Sequence, residues 1–398
     1  MFRKTLTIRA LTPVHVGSGN NLHQIDFLQE SGRFSRYDWD RLIDFLIEKG
    51  LMAEFKEFLK GKELKTLTDV KKFLKDKGLE LPEEALLYSI PFSCTGGPSQ
   101  VEEFIKVSGK VYLPGSELKG SLRRALLLYA LEEDDDLFSS FKNKLERELL
   151  NPRLSNKKFI KKVLNGINTF LEDAVFRPFG GGPHGDLLKF VSFSDSSFSN
   201  PEEVLEVKKV QIFKLSSGEG CSSLKERQKR GSSVCSEVVR QGVEFKVLFT
   251  FRLKQFLSFK EKGAGLFKKN SRTGNKSKSV LELFRSSGEE TLKELLKAWS
   301  KAEELSIEVD KTLKSCLEES GLELPKESYL IRLGKHEGFL FTTVMPALLR
   351  RGEEELFTKV VQKLDLGKGQ SPTFPRTRKF AVSDGRKIPL GFCCVELS

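Results

Sequence analysis

The sequence predicts an α+β fold with antiparallel sheets, helical insertions and glycine-rich loops. Three observations carry this. Short alternating apolar segments are mixed irregularly with long segments of helical period, which argues against a regular βαβ array. Two pairs of short segments are joined by tight glycine turns, Glu30-Ser31-Gly32 and Ser108-Gly109, as hairpins require. The 398 residues exceed what one core usually holds, so two or three domains are expected.

Taken in order, Leu6 to Leu11 alternates, with Leu6, Ile8 and Ala10 on one face, and predicts a strand. Ile25 to Gln29 and Arg33 to Tyr37 form the first hairpin. From Asp38 to about Ser89 the period becomes helical: Leu42, Phe45, Leu46 and Leu51 share a face, a helical insertion over 38–89. Val101–Val107 and Lys110–Leu113 form the second hairpin. A helix follows from Ser116 to about Leu131, and more helix runs to Asp173, interrupted at Asn151-Pro152. Leu187 to Phe193 is a strand. The polar run Ser194 to Pro201 sets a boundary, giving domains 1–200 and 201–398. In the second, Val207–Leu215 and Val243–Leu253 are strands, and Ser216–Ser233 is an exposed loop. Arg252 to Lys278 holds many cations and only Glu261 as acid, which predicts a basic mobile loop over 252–278. Helix covers 280–319. The chain closes with a strand (Tyr329–Leu333), a helix (Phe339–Arg350) and a strand (Pro389–Leu397).

The net charge is +12 and the pI about 9.2. Such a balance concerns partners, not fold. It points to an anionic polymer, with an acidic membrane surface as the second choice. Phe outnumbers the other aromatics, 32 against 5 Tyr and 2 Trp. Most must be core, leaving a few in glycine loops to stack on bases. The six Cys lack C-x-x-C spacing, and His15, His23, His184 and His336 lack zinc-pair spacing, so no metal and no cofactor are expected. Adjacent Cys393 and Cys394 are expected as buried packing. The first residues lack a signal-peptide run, and no stretch is apolar enough for a membrane span. A reduced, cytoplasmic setting with no membrane partner is therefore expected.

Five segments could carry binding chemistry. The helix after Pro114-Gly115-Ser116 has Ser116 placed as its N-cap. Lys119 stands in its first turn, the wrong sign for the helix dipole, and repels Arg123 at i+4, with Arg124 adding a third charge. An anion at the N-terminus would explain this arrangement; a solvated basic face is the plain alternative. Thr12-Pro13-Val14-His15-Val16-Gly17-Ser18-Gly19-Asn20 follows the first strand. Gly17 and Gly19 let backbone amides turn to an anion, and His15 is either a general base or a structural histidine. Phe176-Arg177-Pro178-Phe179-Gly180-Gly181-Gly182 offers Arg177 for phosphate, Phe179 for stacking and Gly181 and Gly182 for close approach. Arg332-Leu333-Gly334-Lys335-His336 is a glycine loop between strand and helix but not a Walker motif, since G-K-[ST] is missing. Last, Pro375-Arg376-Thr377-Arg378-Lys379 places three cations before the final strand.

In this order these pieces resemble the RAMP superfamily of CRISPR–Cas proteins. The resemblance lies in Thr12 to Gly19 after strand one, Leu113 to Arg123, and, near the end, Ile331 to Leu340 with Pro375-Arg376-Thr377-Arg378 and Pro389-Leu390-Gly391. The C-terminal motifs look like the Csm-type (type III-A) subunits that cap the 3′ end of the guide RNA (crRNA). The resemblance implies two ferredoxin-like (RRM-like) domains, a crRNA ligand, contact with neighbouring RAMP backbone subunits and a role in crRNA maturation and antiviral defence. Target RNA and host trimming nucleases are further implied partners. The RNA-binding candidates are then His15, Gly17, Ser18, Gly19, Gly115, Ser116, Lys119, Arg123, Arg124, Arg177, Phe179, Gly181, Gly182, Gly334, Lys335, Arg376 and Arg378. Related backbone subunits cut target RNA with an Asp after strand one, and Asp26 lies near that place. It alternates with apolar neighbours, however, and reads as an exposed strand carboxylate. The expectation is a non-catalytic RNA holder; the alternative is a RAMP endoribonuclease using Asp26 or a guide-processing enzyme using His15. A heparin-like polyanion binder is a third reading. Lys119→Ala is expected to weaken RNA binding and flatten its salt dependence by about one phosphate, which an affinity series in salt measures.

Overall fold

The computed structural model describes every residue except 62–64, 95–96, 151–156, 181, 217, 219, 228–230, 232, 268–275, 365, 367–373, 384 and 398. Gly181, the Asn151-Pro152 break and residues 268–275 of the basic segment lie outside the described residues. The fold is mixed α+β, as expected, and is built on two main sheets. The first orders Tyr329–Arg332, Phe392–Leu397, Phe2–Ala10, Glu244–Phe251 and Val191–Phe193, all antiparallel. The predicted face of its central strand is the buried one: Leu6, Ile8 and Ala10 are all at most 3% exposed. The second orders Arg386–Ile388, Thr377–Ser383, Leu205–Leu215, Ser233–Val239, Gln100–Phe104 and Gly17–His23, with Leu224–Glu226 beside Leu205–Leu215. Gln100–Phe104 runs parallel to Ser233–Val239, with Cys235 and Ser236 against Val101 and Glu102.

Both sheets take strands from either side of residue 200, so domains 1–200 and 201–398 are not separate units. The first and last strands of the chain lie side by side, Ile8 opposite Val395. No local pattern could show that pairing. One hydrophobic core runs through both halves. Above it pack Gly115–Glu133, Asp135–Leu149, Lys157–Phe176 and Gly288–Val309, the last resting on both the first of these helices and the Tyr329–Arg332 strand.

The insertion is helical as expected: Trp39–Glu48, Met52–Gly61 and Leu67–Asp76. Asp38 caps the first by accepting from the Asp40 amide at 2.9 Å, and Thr66 with Asp69 forms a capping box on the third. The helices hold a small core of their own around Leu42, Leu46, Phe55, Val70 and Leu74. The insertion ends earlier than expected. Leu86–Pro91 is a strand, because Tyr88 and Ile90 alternate inward against Arg33–Tyr37.

Four local expectations are corrected. The basic segment is helical over Leu253–Phe267, with Phe256 buried and Lys254, Lys260 and Lys262 exposed. Its charge excess hid an apolar stripe. Within the expected loop Ser216–Ser233, Leu224–Glu226 is a strand and Ser233 opens another. The expected helix Phe339–Arg350 is two short ones, Phe339–Thr342 and Pro346–Arg350, since Pro346 has no amide to continue the ladder. The expected set of reduced thiols holds for Cys393 and Cys394, both buried; Cys94–Cys235 and Cys221–Cys316 are joined as disulfides. Among the described residues no helix is long and apolar enough to cross a membrane.

The two sheets are tied where three segments cross. Lys335 donates its amide to the His15 carbonyl at 2.7 Å, Leu333 to Gly391 at 2.8 Å, and Gly391 to Pro13 at 2.9 Å. Gly334 has φ +92° there, and a Cβ would stand 2.3 Å from the His15 oxygen. Gly391 has φ +88°, with a Cβ 2.5 Å from the Leu333 oxygen. Left-handed backbone alone costs a side chain about 1–2 kcal/mol; an unrelievable contact with backbone adds to it. Gly334→Ala is therefore expected to destabilise by more than about 2 kcal/mol, whereas Gly338→Ala, at φ +87° with open space around it, should lose only about 1 kcal/mol. Urea midpoints at constant slope compare the two, and equal losses would defeat the close-approach account.

Candidate nucleic-acid interface

The lysine helix begins one residue earlier than expected. Pro114 is its N-cap, and Ser116 lies exposed in the first turn with no capping bond. The anion at its N-terminus is the chain's own: the Gly115 amide donates to Asp195 Oδ1 at 2.9 Å. Gly115 permits this docking, since a Cβ would meet the Phe193 oxygen at 2.3 Å. The cations that follow also have internal partners. Lys119 Nζ donates to the Val191 carbonyl at 2.9 Å. Burial lowers its pKa, with Asp186 opposing. Arg123 grips Glu172 and Asp186 and lies 4.4 Å over the Phe176 ring. Arg124 pairs with Glu303, whose side chain is fully buried. A phosphate could still reach Lys119, which is half-buried and has spare donors. Loss of Lys119 would remove a packing hydrogen bond too, so the effect of Lys119→Ala is not confined to RNA.

The first glycine loop runs into a strand: Gly17, Ser18 and Gly19 open Gly17–His23, which pairs with Gln100–Phe104 across a bulge. Ser18 Oγ donates to Glu103 at 2.9 Å. His15 is 1% exposed, too deep to touch RNA as the sequence had suggested. Its Nδ1 donates to the Glu237 carbonyl at 2.7 Å, which fixes the tautomer. Asp26 is not on a strand but in the turn before Phe27–Glu30. Its carboxylate accepts from the His23 amide at 2.8 Å and pairs with Arg36 at 3.1 Å.

Of the third loop, Arg177 pairs with Asp173. Phe179 does not stand free for a base: it packs edge-on against Phe259 at 5.1 Å and against Gly263, where a Cβ would stand 2.3 Å from its ring. Gly182 opens a short 3₁₀ turn at φ +58°. In the terminal segment, Arg378 is engaged by Asp310 at 2.7 and 2.8 Å. Arg376 is exposed and makes no ion pair among the described residues.

What the structure brings together is the first loop, the Gly334 loop and the strand Gln100–Phe104. Glu102 is their centre. It accepts from His336 Nε2 at 2.9 Å, Lys335 at 2.7 Å and Ser236 at 2.7 Å, with His15 Nε2 at 3.8 Å. Burial alone pushes its carboxyl pKa up, but the bonds from His336, Lys335 and Ser236 outweigh it and hold the group well below the usual carboxylate range. Lys379 Nζ donates to His336 Nδ1 at 3.2 Å. The lysine helix touches the same place: Glu117 accepts the Gly334 amide at 3.1 Å, and Ser121 donates to the Arg332 carbonyl at 2.8 Å. At its other side Arg123 reaches Asp186 beyond the third loop. Glu102 and His336 were missed as site residues, because Glu102 sits in an unremarkable alternating strand.

A second feature was also invisible. Lys214 stands directly opposite Lys225 and Thr377, and Ile212 opposite Lys379. By strand period Lys379, Lys214 and Lys225 share one face, and all three are exposed. Like charges directly across a ladder repel. Together with exposed Arg376 they leave a cationic stripe that makes no ion pair among the described residues; Lys335 lies nearby but is paired with Glu102.

A RAMP superfamily model matches residues 7–369, and the chain belongs to that superfamily. It is 27% identical over 136 residues to a Streptococcus thermophilus protein described as CRISPR system Cms protein Csm5, an alignment spanning 31% of this chain and 37% of that relative. Among solved structures it resembles a chain of a Csm-crRNA-target RNA ternary complex of a type III-A CRISPR-Cas system, with TM-score 0.67, 23% identity and all of both chains covered. It also resembles T. onnurineus Csm5, with TM-score 0.58, 20% identity and 98% of this chain and all of that one covered.

Burial pulls the His15 pKa down to about 4, against the raising influence of the Glu237 carbonyl and Glu102. The fold thus prefers neutral His15, and its stability is lost as pH falls from the unfolded value near 6.5 toward 4. Between pH 7 and pH 5 the loss should be about 2 kcal/mol. His15→Asn, which keeps a donor toward Glu237, should remove that part of the pH dependence; parallel urea curves at the two pH values measure it.

Proposed function

We propose that the protein is the crRNA-binding subunit that closes the 3′ end of a type III-A effector complex and holds the guide without cutting RNA. The observation that carries the reading is the full-length likeness to a chain of a Csm-crRNA-target RNA complex. The chain's own chemistry supports RNA as ligand. The Lys214–Lys225 repulsion is relieved by a phosphate between them. Neighbouring RAMP subunits, target RNA and the nucleases that trim the guide are the partners this role requires, in a cytoplasmic setting.

Holding is favoured over cutting by what surrounds the acid–base candidates. A general acid or base must reach the proton it moves. His15 is sealed, His336 is bound on both ring nitrogens by Glu102 and Lys379, and Asp26 is occupied by a backbone amide and Arg36.

Anisotropy titrations of labelled crRNA across salt concentrations test the ligand. Lys214→Ala with Lys225→Ala should weaken binding at least tenfold and lower the salt slope by about 0.7, the value for one lost phosphate contact, while a variant of the paired Lys60 should bind as wild type. Unchanged slope, or equal competition by heparin, would remove the RNA reading. Incubation of guide and complementary target with and without Mg²⁺ should leave both strands intact; cleavage lost in Asp26→Ala would replace the holder with a nuclease.

A further inference from the structure

Behind the stripe lies a cavity of about 450 Å³ between the Gly334 loop and the segment Phe374–Phe380, within the ~300–1,000 Å³ usual for small-ligand sites. Its charges do not balance. Of its two carboxyl groups, Asp310 is taken bidentately by Arg378 and also caps the Leu313 amide. Glu337 is pushed up to about 8 by burial, against the pull of Arg332, and so is mostly neutral at pH 7. On the cationic side, Lys379 donates to a histidine nitrogen and, among the described residues, to no carboxylate. Arg332 is 2% exposed, lies between the Phe341 and Phe392 rings at 4.1 and 4.4 Å, and its buried Nη1 has no hydrogen-bond partner among the described residues. A buried donor without an acceptor costs about 1–3 kcal/mol, so its retention needs a reason.

The same wall carries two half-buried aromatic rings, Phe339 and Phe374, which line the cavity, stand edge to face at 5.0 Å and are backed by Phe357 at 6.5 and 6.4 Å. Phe339 follows Gly338 at φ +87°, and the Glu337 and Gly338 amides have no backbone acceptor among the described residues. Cations, free amides and ring faces around one cavity match the phosphate and base of a nucleotide.

We propose that this cavity is a subsite for one nucleotide of the bound RNA, its phosphate on Lys379 and the loop amides and its base against Phe339. The proposal rests on the RNA-binding reading and specifies where a single unit of the strand is taken out of the stripe. Lys335, at the rim, is tied to Glu102 and positions the loop.

The test is a ligand-observed NMR titration of the full chain with uridine 3′-monophosphate, alongside anisotropy with crRNA. Uridine 3′-monophosphate should bind saturably. Lys379→Met and Phe339→Leu should each weaken it at least tenfold while the variants remain folded by circular dichroism, and crRNA affinity falls by a smaller factor because Lys214 and Lys225 remain. Inorganic phosphate should compete at least tenfold more weakly than the nucleotide. No saturable binding, or folded variants that bind as wild type, overturns the subsite, as does competition by triglutamate equal to that of the nucleotide. Tight crRNA binding alongside absent mononucleotide binding sinks the cavity alone; failure of both sinks the functional reading with it.

Discussion

The crossing of Gly334 over the His15 carbonyl is the constraint on which the rest depends. At 2.3 Å from a hypothetical Cβ to that oxygen, only glycine lets the loop after Tyr329–Arg332 lie on the connection after the first strand. That contact joins the two sheets through backbone alone. It also seals His15 beneath the loop and brings Lys335 and His336 onto Glu102. The polar centre is thus a consequence of a packing requirement. Glycines that a sequence would assign to a phosphate cradle are used here to let one backbone lie against another, and the anion-facing groups are the residues immediately after them.

Electrostatics divides the cations into two populations. Arg123, Arg124, Arg177 and Arg378 each face a carboxylate of the same chain, and removal of one partner from a buried pair such as Arg124–Glu303 typically costs ~3–5 kcal/mol. These arginines belong to the fold. Among the described residues, Lys214, Lys225 and Lys379 are held by strand register and pair with no acid, so the repulsion between the opposed Lys214 and Lys225 is not relieved by an ion pair. A net charge of +12 cannot tell the two groups apart; only pairing can.

How much was legible follows from the range of each signal. The first strand, the first hairpin, the turn of the second, the helical character of the insertion and the lysine helix depend on periodicity and turn chemistry within about twenty residues and could be read. Gln100–Phe104 could not, since it pairs with Gly17–His23 and Ser233–Val239 and not within its own hairpin. The adjacency of the first and last strands, and hence the mixing of both halves in each sheet, is a long-range pairing with no local mark. Leu253–Phe267 was misread because lysines on its outer face outweighed Leu253, Phe256 and Leu257 on its inner one. The motifs of the site were found, but their partners were not: Asp195 below Gly115, Glu102 below His336 and Asp310 beside Arg378 come from distant strands and helices. A motif shows which charges are unusual, while the fold decides which of them are already answered.

The lysine helix shows how that answer changes a functional argument. Read from the sequence, Lys119 stands in the first turn with the wrong charge for the dipole, and an external anion is the natural explanation. In the structure the helix starts at Gly115, its first turn holds Glu117 and Lys119 lies beyond it. Asp195 accepts from the Gly115 amide and Val191 from Lys119, so no dipole penalty calls for RNA. The helix is better understood as the beam that fixes two loops: Glu117 and Ser121 hold the Gly334 loop, and Arg123 holds Asp186 beside the third. Cross-strand lysines are a stronger sign of a missing partner, because a sheet fixes their opposition and, among the described residues, no carboxylate pairs with Lys214 or Lys225. The case for a bound polyanion therefore moves from the helix to the sheet, and the helix becomes the part that keeps the binding face in register.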